Sequence, residues 1–153
     1  MRNTYFETMK EEGKRWIEAK EIRKAEKLQL ENKGDWDGVK AWNEREKREF
    51  PFPFTTGQDR AYRAYEDTNY YGASEFMVKE LPWETGTAED FVKTMKEAGI
   101  TEFVTTDEST ALMRVLHELD ALGCKMVGLT TITIKDAWSK EDKIQNGIRM
   151  RIA

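Results

Sequence analysis

The sequence predicts an α+β fold on three observations. The run from Thr101 to Ile134 reads as strand, amphipathic helix, glycine stop and second strand. Ile144 to Ile152 alternates as a half-buried strand does, with Ile148, Met150 and Ile152 on one side and Arg149 and Arg151 on the other. Thr4 to about Asn32 holds strong helix formers, a single glycine (Gly13) and no proline. The expected organisation is a helical region at residues 1–80 and an α/β domain at residues 81–153. The second part is a two-layer α-β-α-β-β unit with a three-stranded mixed sheet and its helices on one face.

In chain order, the first helix has a thin apolar stripe, because Lys20, Arg23, Lys24 and Lys27 interrupt it. Lys33 to Gly38 is a turn, and Asp35 or Asp37 caps a second helix through Val39, Ala41 and Trp42 to about Glu49. Phe50-Pro51-Phe52-Pro53-Phe54 must be extended, since each proline disfavours helical geometry in the residue before it, and its aromatic spacing suits a segment laid across an apolar surface. A third helix starts at Thr56 or Gln58 and carries Tyr62, Tyr65 and Tyr70. Leu81 to Gly86 is a connector, and the domain boundary is placed there.

Thr87 and Asp90 suggest a capping arrangement for a helix that buries Phe91, Val92 and Met95 and stops at Gly99. A strand near 101–105 follows. Thr106, Asp107 and Ser109 then offer side-chain oxygens to a helix beginning near 108, whose stripe is Leu112, Val115, Leu116, Leu119 and Leu122. From Lys125 to Ile134 the apolar phase changes between Val127/Leu129 and Ile132/Ile134, which predicts a bulge near Gly128 to Thr131 or a strand buried on both faces. The final strand, 144–152, is expected at a sheet edge, where Arg149 and Arg151 would discourage pairing unless a homodimer uses it.

Composition narrows the function classes. A chain of 153 residues, 39% apolar, can build a core, and its 35% charged residues require long solvated faces. No apolar run is long enough for a membrane span, and the N-terminal residues lack a secretory h-region, so a cytoplasmic setting is expected. The lone cysteine, Cys124, lies between a glycine stop and an apolar strand and reads as a buried reduced thiol. With one histidine, His117, and one cysteine, no closed zinc site is available from these residues alone, and no metal or cofactor is expected. Glu18-Ala-Lys20 and Glu31-Asn-Lys33 have the letters of a nuclease motif but fall in a helix, where i and i+2 side chains diverge. Thr105 to Thr110 sits where a phosphate loop would, yet presents two carboxylates. Tyrosines 62, 65, 70 and 71 beside Arg60 and Arg63 have the composition of a base-stacking platform, but Asp59, Glu66 and Asp67 cancel the charge, and packing is the preferred reading.

The net charge of −4 is unevenly spread: residues 80–123 carry three basic against ten acidic side chains, which favours basic partners over nucleic acid at that surface. The run F-V-x-T-x-x-x-A-G-I-T-E-F-V-T-T-x-x-S-T-A-L-M at Phe91 to Met113, the L-G-C-K-M-V-G-L at Leu122 to Leu129 and the closing G-I-R-M-R-I resemble small uncharacterised proteins of gut Firmicutes that conjugative elements and phages carry. The resemblance covers the C-terminal half and implies an accessory protein of a mobile element, without an activity.

The leading reading is a non-enzymatic binding protein working by protein–protein contact with a host or element-encoded protein. Its sharpest form is a host-defence inhibitor of nuclease or CRISPR type, with Glu89, Asp90, Glu97, Asp107, Glu108, Glu118 and Asp120 as contacts that mimic phosphates. The alternative is a nucleic-acid-binding module using Lys10, Lys14, Arg15, Lys20, Arg23, Lys24 and Lys27 on phosphates, although interleaved glutamates also fit a helix laced with ion pairs. Monomer and homodimer are both compatible with the sequence.

Overall fold

A computed structural model describes residues 1–153. Its elements are α1 (Thr4–Asn32), α2 (Trp36–Glu49), α3 (Thr56–Tyr70), β1 (Met77–Val78), α4 (Ala88–Glu97), β2 (Glu102–Thr105), α5 (Leu112–Ala121), β3 (Cys124–Lys135) and β4 (Asp142–Ile152). The α+β class is as predicted. The sheet has four strands rather than three, in the order β1-β2-β4-β3. The additional strand, β1, is two residues long and pairs parallel to β2, Met77 against Val104 and Val78 against Thr105.

The C-terminal strand is not at an edge. β4 runs antiparallel to both β2 and β3 and separates them, so β2-α5-β3 is a crossover whose two parallel strands are split by the last strand of the chain. The edges are β1 and β3. β3 carries one irregularity, between Met126 and Gly128, ahead of the Gly128 to Thr131 span where the sequence predicts a bulge; from Gly128 to Lys135 the register is unbroken, and Leu129 is exposed rather than buried on a second face. On one side of the sheet Phe103 and Met150 are paired and buried, and Phe91 of α4 meets Phe103 edge-on at 6.1 Å. On the other side Met77, Val104, Ile132 and Ile134 form a buried cluster with Tyr71 and Ala73 packed on it.

The chain divides into two compact units, Met1–Phe6 with Phe54–Ala153, and Glu7–Pro53. This places α3 and β1 with the sheet rather than with the N-terminal helices, whereas the sequence puts the boundary at 80/81. The reason is packing: Gly57 brings the α3 backbone close to Thr87 and Phe91 of α4, and the Thr68 hydroxyl accepts from the Met77 amide of β1 at 2.9 Å. α3 itself starts with a capping box between Thr55 and Gln58. In the same unit Phe6 stacks on Tyr65 at 5.0 Å, and the Tyr5 hydroxyl donates to Glu97 at 2.7 Å.

In the Glu7–Pro53 unit, Gly34 takes a positive φ of 69° to reverse the chain, and the Asp35 carboxylate accepts from the Gly38 amide at 2.9 Å to start α2. Trp42 and Glu46 are the buried residues of α2. The Phe50–Phe52 stretch folds back on α1: Trp16 meets the Phe52 ring edge-on at 5.1 Å and its indole N–H donates to the Phe50 carbonyl at 3.2 Å.

Two helix starts differ from the sequence reading. Thr87 makes no side-chain cap; its hydroxyl donates to the Glu84 carbonyl at 2.6 Å. α5 begins at Leu112, without a side-chain cap, instead of near 108.

Candidate interaction surface

The seven candidate carboxylates do not form one open surface. Asp107 is buried and spent on the backbone: one oxygen accepts from the Leu81 amide at 2.9 Å and the other from the Ser109 amide at 2.7 Å. That corrects its assignment as a contact, since both oxygens hold the connector and the β2–α5 turn in place. Glu97 takes the Tyr5 hydroxyl, and burial, followed by the Glu97 bond, pushes the Tyr5 pKa up to about 12. Glu118 is paired with Arg114 at 2.6 Å and Asp120 with Lys125 at 3.1 Å. The side chains of Glu89, Asp90 and Glu108 make no ion pair or hydrogen bond, and of these Glu89 and Glu108 are exposed.

The basic candidates on α1 are similarly thinned. Arg23 binds Glu46 through Nε at 2.7 Å and lies 4.0 Å from the centre of the Phe50 ring. Lys20 stands over Trp16 at 4.9 Å, Lys27 over Trp42 at 5.3 Å, and Lys24 pairs with Glu21 at 3.0 Å. These cations organise the hairpin. Lys10, Lys14 and Arg15 are exposed and unpaired.

A polar cleft of about 400 Å³ opens between α3 and the segment after β1, lined by Arg60, Arg63, Asp67, Tyr70, Lys79 and Glu80 among others. Its cations are committed: Arg60 to Glu84 and to Glu80, Arg63 to Asp59, and Lys79 to the Tyr71 hydroxyl at 3.1 Å. Among the lining carboxylates, burial raises the Asp67 pKa above the ordinary carboxylate value. The tyrosines divide between core and surface, with Tyr65 buried and Tyr70 exposed, so no continuous stacking platform exists.

The unsatisfied surface lies along β3. Thr133 and Lys135 turn their backbone polar groups away from β4: the Ser74 amide donates to the Thr133 carbonyl at 2.9 Å and the Lys135 amide to the Tyr71 carbonyl at 2.7 Å. The Tyr71–Ser74 segment therefore covers one end of this edge. By the two-residue period of a strand, Leu129 and Thr131 direct their N–H and C=O groups to the same open side, and no other segment pairs with them. Leu129 is 87% exposed, Met126 59% and Val127 47%. Beside them Met113, Leu116, His117 and Asp120 of α5 enclose, with Met126, a hollow of about 340 Å³. The sequence reading puts Val127 and Leu129 on one apolar parity, and alternation shows which side chains share a face, not which strand lies outermost.

A family model matches residues 60–152, from within α3 to the end of β4. The chain belongs to the family described as Domain of unknown function (DUF7698). The matched DUF7698 region contains the whole four-stranded sheet with α4 and α5, and so includes the open β3 edge. No curated protein and no solved structure matches the chain. No helix is long and apolar enough to cross a membrane.

Proposed function

We propose that this DUF7698 protein is a non-enzymatic binding module that acts by protein–protein contact, with its interface on the α5/β3 side of the sheet. The observation that supports this most directly is the juxtaposition of an unpaired strand edge at Leu129 and Thr131 with the exposed apolar side chains of Met113, Met126 and Leu129. Backbone donors and acceptors at an edge give affinity to any added strand, and neighbouring apolar side chains give it area to bury. Charged contacts with a basic partner would fall to Glu89, Asp90 and Glu108, the candidate carboxylates with no internal partner. The setting that accompanies this reading is cytoplasmic, in an accessory protein of a conjugative element or phage, with inhibition of a host-defence protein as its most specific form; that setting rests on the resemblance of residues 87–152 alone.

The experiment places a photo-crosslinking residue at Val127 and irradiates the protein in a lysate of its source cells. Crosslinks to protein, abolished by Met126→Lys/Leu129→Lys with far-UV circular dichroism unchanged, are the expected result. Crosslinking at the same level in the double variant would sink the assignment of this face. The nucleic-acid alternative now depends on Lys10, Lys14 and Arg15, the basic candidates without an internal partner; a mobility shift lost in Lys10→Glu/Lys14→Glu would revive it.

A further inference from the structure

We propose that the hollow between α5 and the start of β3 is a binding site for a soft monovalent metal ion, Cu(I), with the thioethers of Met113 and Met126 and the imidazole of His117 as its ligands. The inference is independent of the protein-contact reading, because it rests on donor atoms and not on apolar area.

The chain brings the three donors together from two elements. Met113 and His117 are one turn apart on α5, and side chains at i and i+4 project from the same face of a helix. Gly123, at a φ of 83°, turns the chain from α5 into β3, where Met126 stands across from that face. All three residues line one hollow of about 340 Å³, and Leu116 and Asp120 complete its wall. None of the three is used up by the fold. Met113 is 69% exposed and Met126 59%, while the exposed His117 side chain makes no hydrogen bond or ion pair. Of the other methionines, Met9, Met77, Met95 and Met150 are buried and Met1 is the first residue, so the single histidine and both remaining thioethers meet in one place.

The donor set selects the metal. Thioether sulfur is a soft ligand suited to Cu(I), and imidazole nitrogen binds copper as well. Zn(II) draws on thiolate, imidazole and carboxylate, of which the hollow offers one imidazole and the Asp120 carboxylate, already paired with Lys125 at 3.1 Å. Calcium and magnesium require several oxygen ligands, which are absent from this wall. The chain's one thiol, Cys124, would compete for a soft ion, but it is wholly buried. Methionine has three rotatable side-chain bonds, so the two sulfurs can close on an ion without movement of the backbone. A sequence count of histidine and cysteine passes over such a site, because an exposed thioether and a core methionine are the same letter.

Titration of the full chain with Ag(I), a redox-inert probe of the same donors, tests the proposal by calorimetry and by the methyl resonances of isotope-labelled methionine. One equivalent should bind, moving the Met113 and Met126 signals and leaving those of the four buried methionines in place. Loss of a group that merely orients a metal ligand costs about 10–100-fold in affinity, so Met113→Leu, Met126→Leu and His117→Gln should each weaken binding at least about tenfold. All three positions are exposed, and circular dichroism should not change. Cu(I), added anaerobically against a competing chelator, should give the same order of variants, and Cys124→Ala should bind as wild type does. Absence of binding, binding that either methionine variant leaves intact, or binding lost in Cys124→Ala overturns the proposal. Leucine keeps the apolar surface and removes only the sulfur, which separates the two readings. A Met126→Leu protein that loses the metal and still crosslinks from Val127 supports both, whereas one that keeps the metal and still crosslinks removes the metal site alone.

Discussion

Arg149 grips the carboxylate of Glu75 through two parallel hydrogen bonds, Nη1 to Oε1 at 2.5 Å and Nη2 to Oε2 at 2.9 Å. Nη1 also donates to Glu102 at 2.8 Å, so one guanidinium ties the middle of β4 to β2 and to the segment that leads into β1. A planar fork of donors matches a carboxylate in a way that a lysine could not. The side chain read from the sequence as an edge charge is therefore a clasp inside the fold.

That clasp has a pH signature. Hydrogen bonds from Arg149 are the leading cause holding both the Glu75 and Glu102 carboxyls below their ordinary range. A carboxyl whose pKa is lower in the folded than in the unfolded state stabilises the fold above the ordinary carboxyl range and loses that contribution as pH falls through the lowered value. Thermal unfolding of Arg149→Gln should show a lower Tm than wild type at neutral pH, with the gap closing below about pH 4. A gap independent of pH would mean that Arg149 acts through packing alone.

Gly57 is required by a close approach of two helices. A Cβ there would overlap the Thr87 carbonyl oxygen and come within 2.7 Å of the Asp90 Cβ and 2.9 Å of the Phe91 amide nitrogen. Two of these three atoms are backbone, which cannot rotate aside. Gly57→Ala should destabilise the protein by about 1–3 kcal/mol, as overpacking does, despite the helix propensity of alanine. Urea unfolding measures it; a stabilised variant would mean that α3 and α4 separate freely.

How much of this was legible in the sequence depended on the range of the interaction that fixes each feature. The stripe of α5 and the burial of Cys124 follow from local periodicity and punctuation, and both Val115 and Leu119 are buried. β1 could not be read, because two residues show no alternation and Met77 is held by pairing with Val104, far along the chain. The switch of apolar parity between Leu129 and Ile132 is not a bulge, because the register is unbroken there and Leu129 is exposed; nor was strand order legible, since the insertion of β4 between β2 and β3 is a long-range pairing that leaves β3 at an edge. The internal engagement of two candidate carboxylates was hidden for a similar reason. Acidic composition on predicted helices does not reveal that Asp107 reaches the Leu81 amide or Glu97 the Tyr5 hydroxyl.

Cys124 is wholly buried, and burial pushes its thiol pKa up to about 11. The folded state then holds the thiol proton more tightly than the unfolded state, so this contribution to stability is intact below the ordinary thiol pKa and declines as pH rises through about 11. An Ellman assay at pH 8 should show no fast reaction until denaturant is added. Rapid modification of the native protein would contradict the burial.

Thr68 joins α3 to β1 with a single hydroxyl, which donates to the Ala64 carbonyl at 2.7 Å and accepts from the Met77 amide at 2.9 Å. Thr68→Val keeps the shape and strands the amide in the interior. A loss of about 1–3 kcal/mol in urea unfolding is expected. Thr68→Ser, which keeps the hydroxyl, should recover most of it; if serine and valine behave alike, the hydroxyl is not what matters.

Asp107 and Glu108 are neighbours with opposite expected behaviour, and they separate fold from surface. Asp107→Ala leaves the buried Leu81 amide without its acceptor and releases the Ser109 amide at the β2–α5 turn. An unpaired buried donor costs about 1–3 kcal/mol, so this variant should unfold at lower denaturant. Asp107→Asn retains a carbonyl oxygen for one of the two amides and should fall between alanine and wild type. Glu108 is exposed and makes no ion pair, so Glu108→Ala should leave the unfolding midpoint within about 0.5 kcal/mol of wild type and alter only contacts with another molecule. If Asp107→Ala unfolds like wild type while binding of a partner is lost, Asp107 belongs to the surface after all and the structural role given to its carboxylate fails.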